Sequence, residues 1–272
     1  MKIVSSGKGI HSQGFYEKKR RARKIKFVVS SFGIITFLII SVFVSRHDRF
    51  LVSEVLVSGD GGDLNNEIIK SVEEVTSGRY LWIIPKMSTF LYPRQEIESK
   101  LAQEFPRFKS TKLNIDNFQV LNIAVTAREP FARYCATSEE CYLLDENGFI
   151  FSVSPTSDES YLTYSLEEVV DSPVGKSLLP EETFTALSKF IDSLSELGII
   201  PVALKINKVH YVLSLTNGAE ILWQRGSEPA LVKSNLSAFL ANDTIRARGD
   251  FWDKILYLDL RTENKVFYKF RE

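Results

Sequence analysis

The strongest pattern along the chain is an unbroken apolar run, "FVVSSFGIITFLIISVFV" (27–44), which contains no charged residue. As a helix it rises about 27 Å at about 1.5 Å per residue, near the roughly 30 Å hydrocarbon thickness of a bilayer. Beyond it the pattern becomes amphipathic. "LVSEVLVSG" sets Val52, Val55 and Val57 among polar residues and stops at Gly59, which predicts a strand. "DLNNEIIKSVEEVTSG" places Leu64, Ile68, Val72 and Val75 at helical spacing, with Asp63 or Asn65 as N-cap and Gly78 as terminator. "PRQEIESKLAQEFP" repeats the helical pattern through Ile97, Leu101 and Phe105, between Pro93 and Pro106. Two strands follow, "KLNID" and "FQVLNIAVTARE", the second alternating Leu121, Ile123 and Val125 with polar or small residues.

This strand, helix, helix, strand, strand order predicts a compact module with a three-stranded sheet and two helices on one face. From Pro130 onward the pattern is richer in strands. "CYLLD" and "FIFSV" flank "ENG", and "VHYVLSL" and "AEILWQ" flank "TNG", a strong hairpin signal. Two amphipathic helices interrupt them. One carries Phe184, Leu187, Ile191 and Leu194 on a face, the other Val232, Leu236, Phe239 and Leu240. "SPTSDES" (154–160) is a looser joint, too short for an interdomain linker. The fold class expected is α+β: a basic cytoplasmic tail (1–26), a transmembrane helix (27–44), a membrane-proximal link and small module (45–129), and a β-rich domain (130–272).

The last stretch, "LYLDLRTENKVFYKF", reads as two strands around a turn. In it Val266, Tyr268 and Phe270 alternate with Lys265, Phe267 and Lys269, so an apolar face backs a charged one that carries a single aromatic. No further element is expected to cover this strand. An edge of that kind is a template for another chain, yet Lys265, Lys269 and Arg271 are also the charges by which edge strands discourage pairing. Both readings stand at this level.

Charge gives the apolar run a direction. The chain has 34 basic and 34 acidic residues, but nine Lys or Arg against only Glu17 lie in residues 1–26, leaving 25 basic and 33 acidic in the remainder. Seven positive charges in "KKRRARKIK" precede the run and Arg46 and Arg49 follow it, so the N-terminus is expected in the cytoplasm. A cleaved signal peptide would have a shorter basic region and small residues at the cut, which "SVFVSRHDR" lacks. The net acidity beyond residue 26 argues against a nucleic-acid partner. Cys135 and Cys141 fall on the outer side, flanking "ATSEE"; a hairpin there would let them form a disulfide in an oxidising compartment, and free thiols are the alternative in a reducing one.

Catalytic patterns are missing. There is no G-x-S-x-G, H-E-x-x-H or S-x-x-K with partner motifs, and none of the three histidines, His11, His47 and His210, lies near the cysteines. His210 falls inside a strand pattern and reads as structural. "GKG" lacks phosphate-loop spacing, and "SGDGGD" reads as a strand-to-helix turn. Adjacent acids such as Glu73 and Glu74 or Glu181 and Glu182 do not share a helix face. The expectation is a protein without enzymatic activity, cofactor or metal.

The order of these features resembles the FtsQ/DivIB family of bacterial cell-division proteins. "VSEVLVSGDGGDLNNEII" looks like the opening of that family's POTRA domain, and "FPRFKSTKLNIDNFQVLNIAVTAREPFARY" resembles its passage into the β domain. "YLLDENGFIF" resembles a D-x-x-G-x-x-F hairpin, and "ILYLDLRTENKVFYKF" the Y-x-D-L-R strand pair near the family's end. Trp223 departs from the pattern, standing where the family more often has Gly. The resemblance implies a scaffold of the division machinery at the septum, in the plasma (inner) membrane. Through its β domain it would bind two small bitopic coiled-coil proteins of the FtsB/DivIC and FtsL types, with other division components nearby. It implies that Lys265, Val266, Phe267, Tyr268, Lys269 and Phe270 form the partner-binding strand, and gives the cysteine pair no role. Asp259 and Arg261 are expected to fix the hairpin. Two other classes stay open: an envelope chaperone or transport factor built on a POTRA-like module, and a signal-anchored cell-wall enzyme.

Overall fold

A computed structural model describes residues 13–154, 161–247, 249–263 and 265–271 of the chain. Its first element, α1 (Gln13–Ser45), is 33 residues long. Within it the stretch Arg23–Ser45 has mean hydropathy 2.6, and its apolar window is not covered by the rest of the chain, so it is long and apolar enough to cross a membrane.

A 3-10 turn (Asp48–Phe50) leads to β1 (Glu54–Gly59), α2 (Asn65–Thr76), the short strands β2 (Arg79–Tyr80) and β3 (Ile84–Pro85), α3 (Arg94–Glu104), β4 (Phe108–Asp116) and β5 (Val120–Ala127). The expected order is present, with a small hairpin, β2 and β3, inserted between the helices. β1, β5 and β4 form a three-stranded sheet in that order. Ile68, Val72 and Val75 of α2, Ile97 and Leu101 of α3, and Leu121, Ile123 and Val125 of β5 are all buried, as their spacing predicts.

Two details differ from the sequence expectation. Leu64 occupies the N-cap position of α2 with no side-chain hydrogen bond, because a 3-10 turn (Gly62–Leu64) brings the chain in already wound; neither Asp63 nor Asn65 caps it. Gly78 does follow the helix, at φ +98°. β4 begins at Phe108, four residues before "KLNID", because strand pairing extends along Lys109 to Thr111 whether or not those side chains alternate.

The β-rich part runs β6 (Ala132–Cys135), β7 (Cys141–Leu144), β8 (Ile150–Val153), β9 (Thr163–Leu166), α4 (Glu181–Ser193), β10 (Pro201–Ile206), β11 (His210–Leu215), β12 (Glu220–Gln224), α5 (Pro229–Leu240), α6 (Asp243–Arg246), α7 (Phe251–Lys254), β13 (Ile255–Asp259) and β14 (Phe267–Phe270). Its strands make one nine-stranded sheet in the order β14-β13-β12-β11-β10-β9-β6-β7-β8. The pairs β9 with β10 and β12 with β13 are parallel. Parallel neighbours need a crossover, and in these two pairs the amphipathic helices supply it: α4 lies between β9 and β10 in the chain, α5 between β12 and β13, while β6 and β9, also parallel, are connected through β7 and β8.

Both helices bury their predicted faces in one core. Phe184, Leu187, Ile191 and Leu194 join Val232 and Leu236 in a cluster with Tyr134, Tyr164, Leu213 and Ile221 of the strands. Burying each such side chain stabilises the fold by roughly 1.5–3 kcal/mol. Trp223 belongs to this core, its ring 5.3 Å from Phe190 and 5.2 Å from Tyr211. At the turn after β7, Asp145 is fully buried yet satisfied: it pairs with Arg128 and accepts from the amides of Asn147 and Phe149, each at 2.9 Å.

By packing, the described chain divides into two units: Met1–Ser58, Asp63–Ile97 and Leu113–Ala124 in the first, Gly59–Gly62, Glu98–Lys112 and Val125–Glu272 in the second. The looser joint proposed around 154–160 falls, from residue 155 on, outside the described residues, as do "GKG" and His11.

Candidate functional site

β14 stands at one edge of the nine-stranded sheet, with β13 as its neighbour. The pair is antiparallel: Asp259, Leu258, Tyr257 and Ile255 lie opposite Phe267, Tyr268, Lys269 and Phe270, and the register shifts between Ile255 and Tyr257. On the far side of β14 no strand follows among the described residues, so that edge presents main-chain groups to solvent.

The two faces of β14 have different surroundings. On one, Tyr268 rests 5.4 Å from the ring of Phe239 in α5 and 5.4 Å from Phe270, which is itself 5.9 Å from Phe251 in α7. On the other, Phe267 lines an open cleft with Val209, His210, Gln224, Asp259 and Arg261. Phe267 is 53% exposed and Tyr268 44%, a large aromatic surface for four residues of strand. Lys265 and Lys269 are exposed, while Val266 and Phe270 are half-buried against the core. The ladder is shorter than the alternation in "KVFYKF" predicts, because Lys265 donates its amide to the carbonyl of Thr262 (3.3 Å) and stays in the turn.

The turn between β13 and β14 is held by Asp259 and Arg261. The Arg261 guanidinium donates to both carboxylate oxygens, at 2.9 and 2.6 Å, and its amide donates to one of them at 3.0 Å. The Arg261 side chain, more than any other group, holds the Asp259 carboxyl below the usual carboxylate range. Beyond the strand, Arg271 donates to the carbonyl of Asn217 (2.6 Å), whose own side-chain amide donates to the carbonyl of Trp252 (2.6 Å). This clamp and the Phe239 platform escaped the sequence reading. The helical face that names Phe239 was the one signal available; nothing in the sequence pairs residues 217 and 271.

Comparison with protein-family models and with curated proteins finds no match.

The other residues singled out in the sequence lie elsewhere. Cys135 and Cys141 face each other across β6 and β7 and are joined by a bond of 1.99 Å, with Cα atoms 4.1 Å apart. They belong to the end of the sheet opposite β14. His210 pairs across to Gln224, and its Nε2 is 3.1 Å from the side-chain nitrogen of Asn207. Among the described residues, no three His, Cys, Asp or Glu side chains converge into a set that can hold a metal ion. What the β14 edge can do chemically is add a strand: its main-chain groups would supply the bonds, with Phe267 and Tyr268 gripping side chains on either face.

Proposed function

We propose that this protein is a single-pass membrane scaffold of the FtsQ/DivIB kind, holding small bitopic coiled-coil proteins of the FtsB/DivIC and FtsL types at the division septum. Its N-terminus lies in the cytoplasm, its two folded units outside, and it has no catalytic role of its own. Support comes first from β14, an edge strand that presents a half-exposed Phe267 and Tyr268. The α1 span and the β1-α2-α3-β4-β5 order of a POTRA-like module are consistent with it. Lys265 before the strand and Lys269 within it, beside Tyr268 on its Phe239 platform, would give an incoming acidic partner charges to pair with and so set its register.

A photo-crosslinking residue at position 267 in living cells should capture a small single-span coiled-coil protein, identified by mass spectrometry. Phe267→Ala leaves the core untouched and should keep the unfolding midpoint, while lowering partner affinity at least tenfold, the loss expected for an aromatic anchor worth about 2 kcal/mol. Capture at a control site elsewhere on the chain with none at 267 would mean that the lysines guard this edge and that the scaffold surface lies elsewhere.

A further inference from the structure

Two turns in the first unit set bulky apolar residues at left-handed positions that glycine and asparagine usually hold. In the loop between β2 and β3 the amide of Ile83 donates to the carbonyl of Tyr80 (3.0 Å), with φ +47° at Leu81 and +67° at Trp82. Between β4 and β5 the amide of Gln119 donates to the carbonyl of Asp116 (3.2 Å), with φ +52° at Asn117 and +62° at Phe118. Two successive residues of positive φ mark a type I′ turn, for which Asn-Gly is preferred. Leu81, Trp82 and Phe118 therefore sit where a Cβ is costly. They do not recover that cost by burial: Trp82 is 92% exposed, Leu81 85%, and Phe118 more than half. Strain joined to exposed apolar surface indicates that something outside the chain covers these side chains.

The second turn, and the segment that follows β3, are tied to the residues after α1. Leu51 bridges to Ser88, and the amide of Val52 donates to the carbonyl of Met87 (2.9 Å). Thr89 donates its amide to the carbonyl of Phe50 (3.0 Å) and its hydroxyl to the carbonyl of Phe118 (2.6 Å). The side-chain amide of Gln119 donates to the carbonyl of Asp48 (3.3 Å). The rings of Phe50, Phe90 and Phe118 lie 5.4 to 6.4 Å apart, and Phe90 is also exposed. β3 packs against α1. Ser45, the last residue of α1, is buried while the apolar stretch before it is exposed, so that contact falls at the end of the helix. Trp82 is two residues from β3, at most about 7 Å of chain.

We propose that Leu81, Trp82, Phe90, Leu91 and Phe118 form an apolar collar seated in the interfacial layer of the membrane that α1 crosses, with the exposed Arg46 and Arg49 meeting lipid phosphates. The occupant is lipid because the collar begins where the span ends: within five residues of Ser45 the chain is bonded to Gln119 of the second turn and to Thr89 just after β3, and the interfacial layer is itself roughly 5–8 Å deep on each side. Tryptophan and phenylalanine favour that layer, and arginine stems can lie along it with their charge in the headgroups. The collar would fix how the first unit stands against the bilayer. It rests on α1 crossing a membrane and is independent of the partner proposed for β14.

The test uses the full chain in vesicles of phosphatidylcholine and phosphatidylglycerol, with bromines at the 6 and 7 positions of the acyl chains as quenchers. The chain has three tryptophans, Trp82, Trp223 and Trp252, so Trp82→Phe isolates the contribution of one. The parent should lose one tryptophan's share of emission that the variant does not lose, and that share should be shielded from aqueous iodide. Equal lipid quenching of parent and variant would overturn the proposal. So would access of iodide to Trp82, which places the hairpin in water, or shielding from both quenchers, which makes the cover a protein. The double variant Leu81→Asn with Trp82→Gly, which installs the preferred turn, should keep or raise the unfolding midpoint in detergent. A lower midpoint would mean that the fold itself needs these side chains, and would also overturn it.

Discussion

Gly148 stands at φ +78° in the turn between β7 and β8, and a Cβ built there would lie 2.5 Å from Cγ of Phe184. Phe184 is fully buried against Tyr164, its ring centroid 5.2 Å away, so it cannot swing aside. Gly148→Ala therefore combines a left-handed backbone penalty with an overpacked core, and should lower stability by about 3 kcal/mol in denaturant unfolding. A loss under about 1 kcal/mol would mean that the ring relocates. Residues of this kind were legible: "DENG" announces a turn, and Asp145 and Gly148 occupy it as their chemistry demands. The turn at Leu81 and Trp82 was illegible for the converse reason, since neither residue type carries any turn signal. Phe118 hid in the same way inside a stretch read as two strands.

The hairpin of β13 and β14 depends on a carboxylate. An aspartate in an unfolded chain titrates near about 3.9, whereas Arg261 keeps Asp259 charged to lower pH in the fold. The folded state thus holds the proton less tightly than the unfolded one. The resulting stabilisation is present above about pH 4 and is lost as pH falls through the lowered value. Amide exchange across β14 should accelerate as pH falls below about 4, beyond its ordinary pH dependence, and Asp259→Asn should remove that excess. Parallel behaviour of parent and variant would show the pair to be too hydrated to hold the hairpin. At this scale the helices α2, α3, α4 and α5 were readable from their apolar spacing. β9 and β10 were not: "TYSL" and "PVALKI" are short, and β9 gains its place from parallel neighbours on both sides, β6 and β10, far away in sequence. The short helices α6 and α7 are likewise too brief for periodicity to reveal.

For the whole molecule, the proposed orientation depends on seven positive charges before the apolar run against Arg46 and Arg49 after it. Replacing those seven by glutamine while keeping the two arginines should reverse the bias, so that a reporter fused after residue 272 appears on the cytoplasmic side in a substantial fraction of chains. An unchanged reporter would mean that the folded units, not the charges, decide orientation. The order of assembly also follows from the sheet. β14 has β13 to pair with, β13 joins β12 only across the crossover that carries α5, and Tyr268 lies on Phe239 of that helix. Non-local pairings of this kind form late, after the loops that separate them have closed. The edge proposed to dock a partner is therefore among the last surfaces to form, and on that proposal a half-folded chain would have nothing to offer. If β14 docks a partner as proposed, completion of the domain and permission to assemble become the same event.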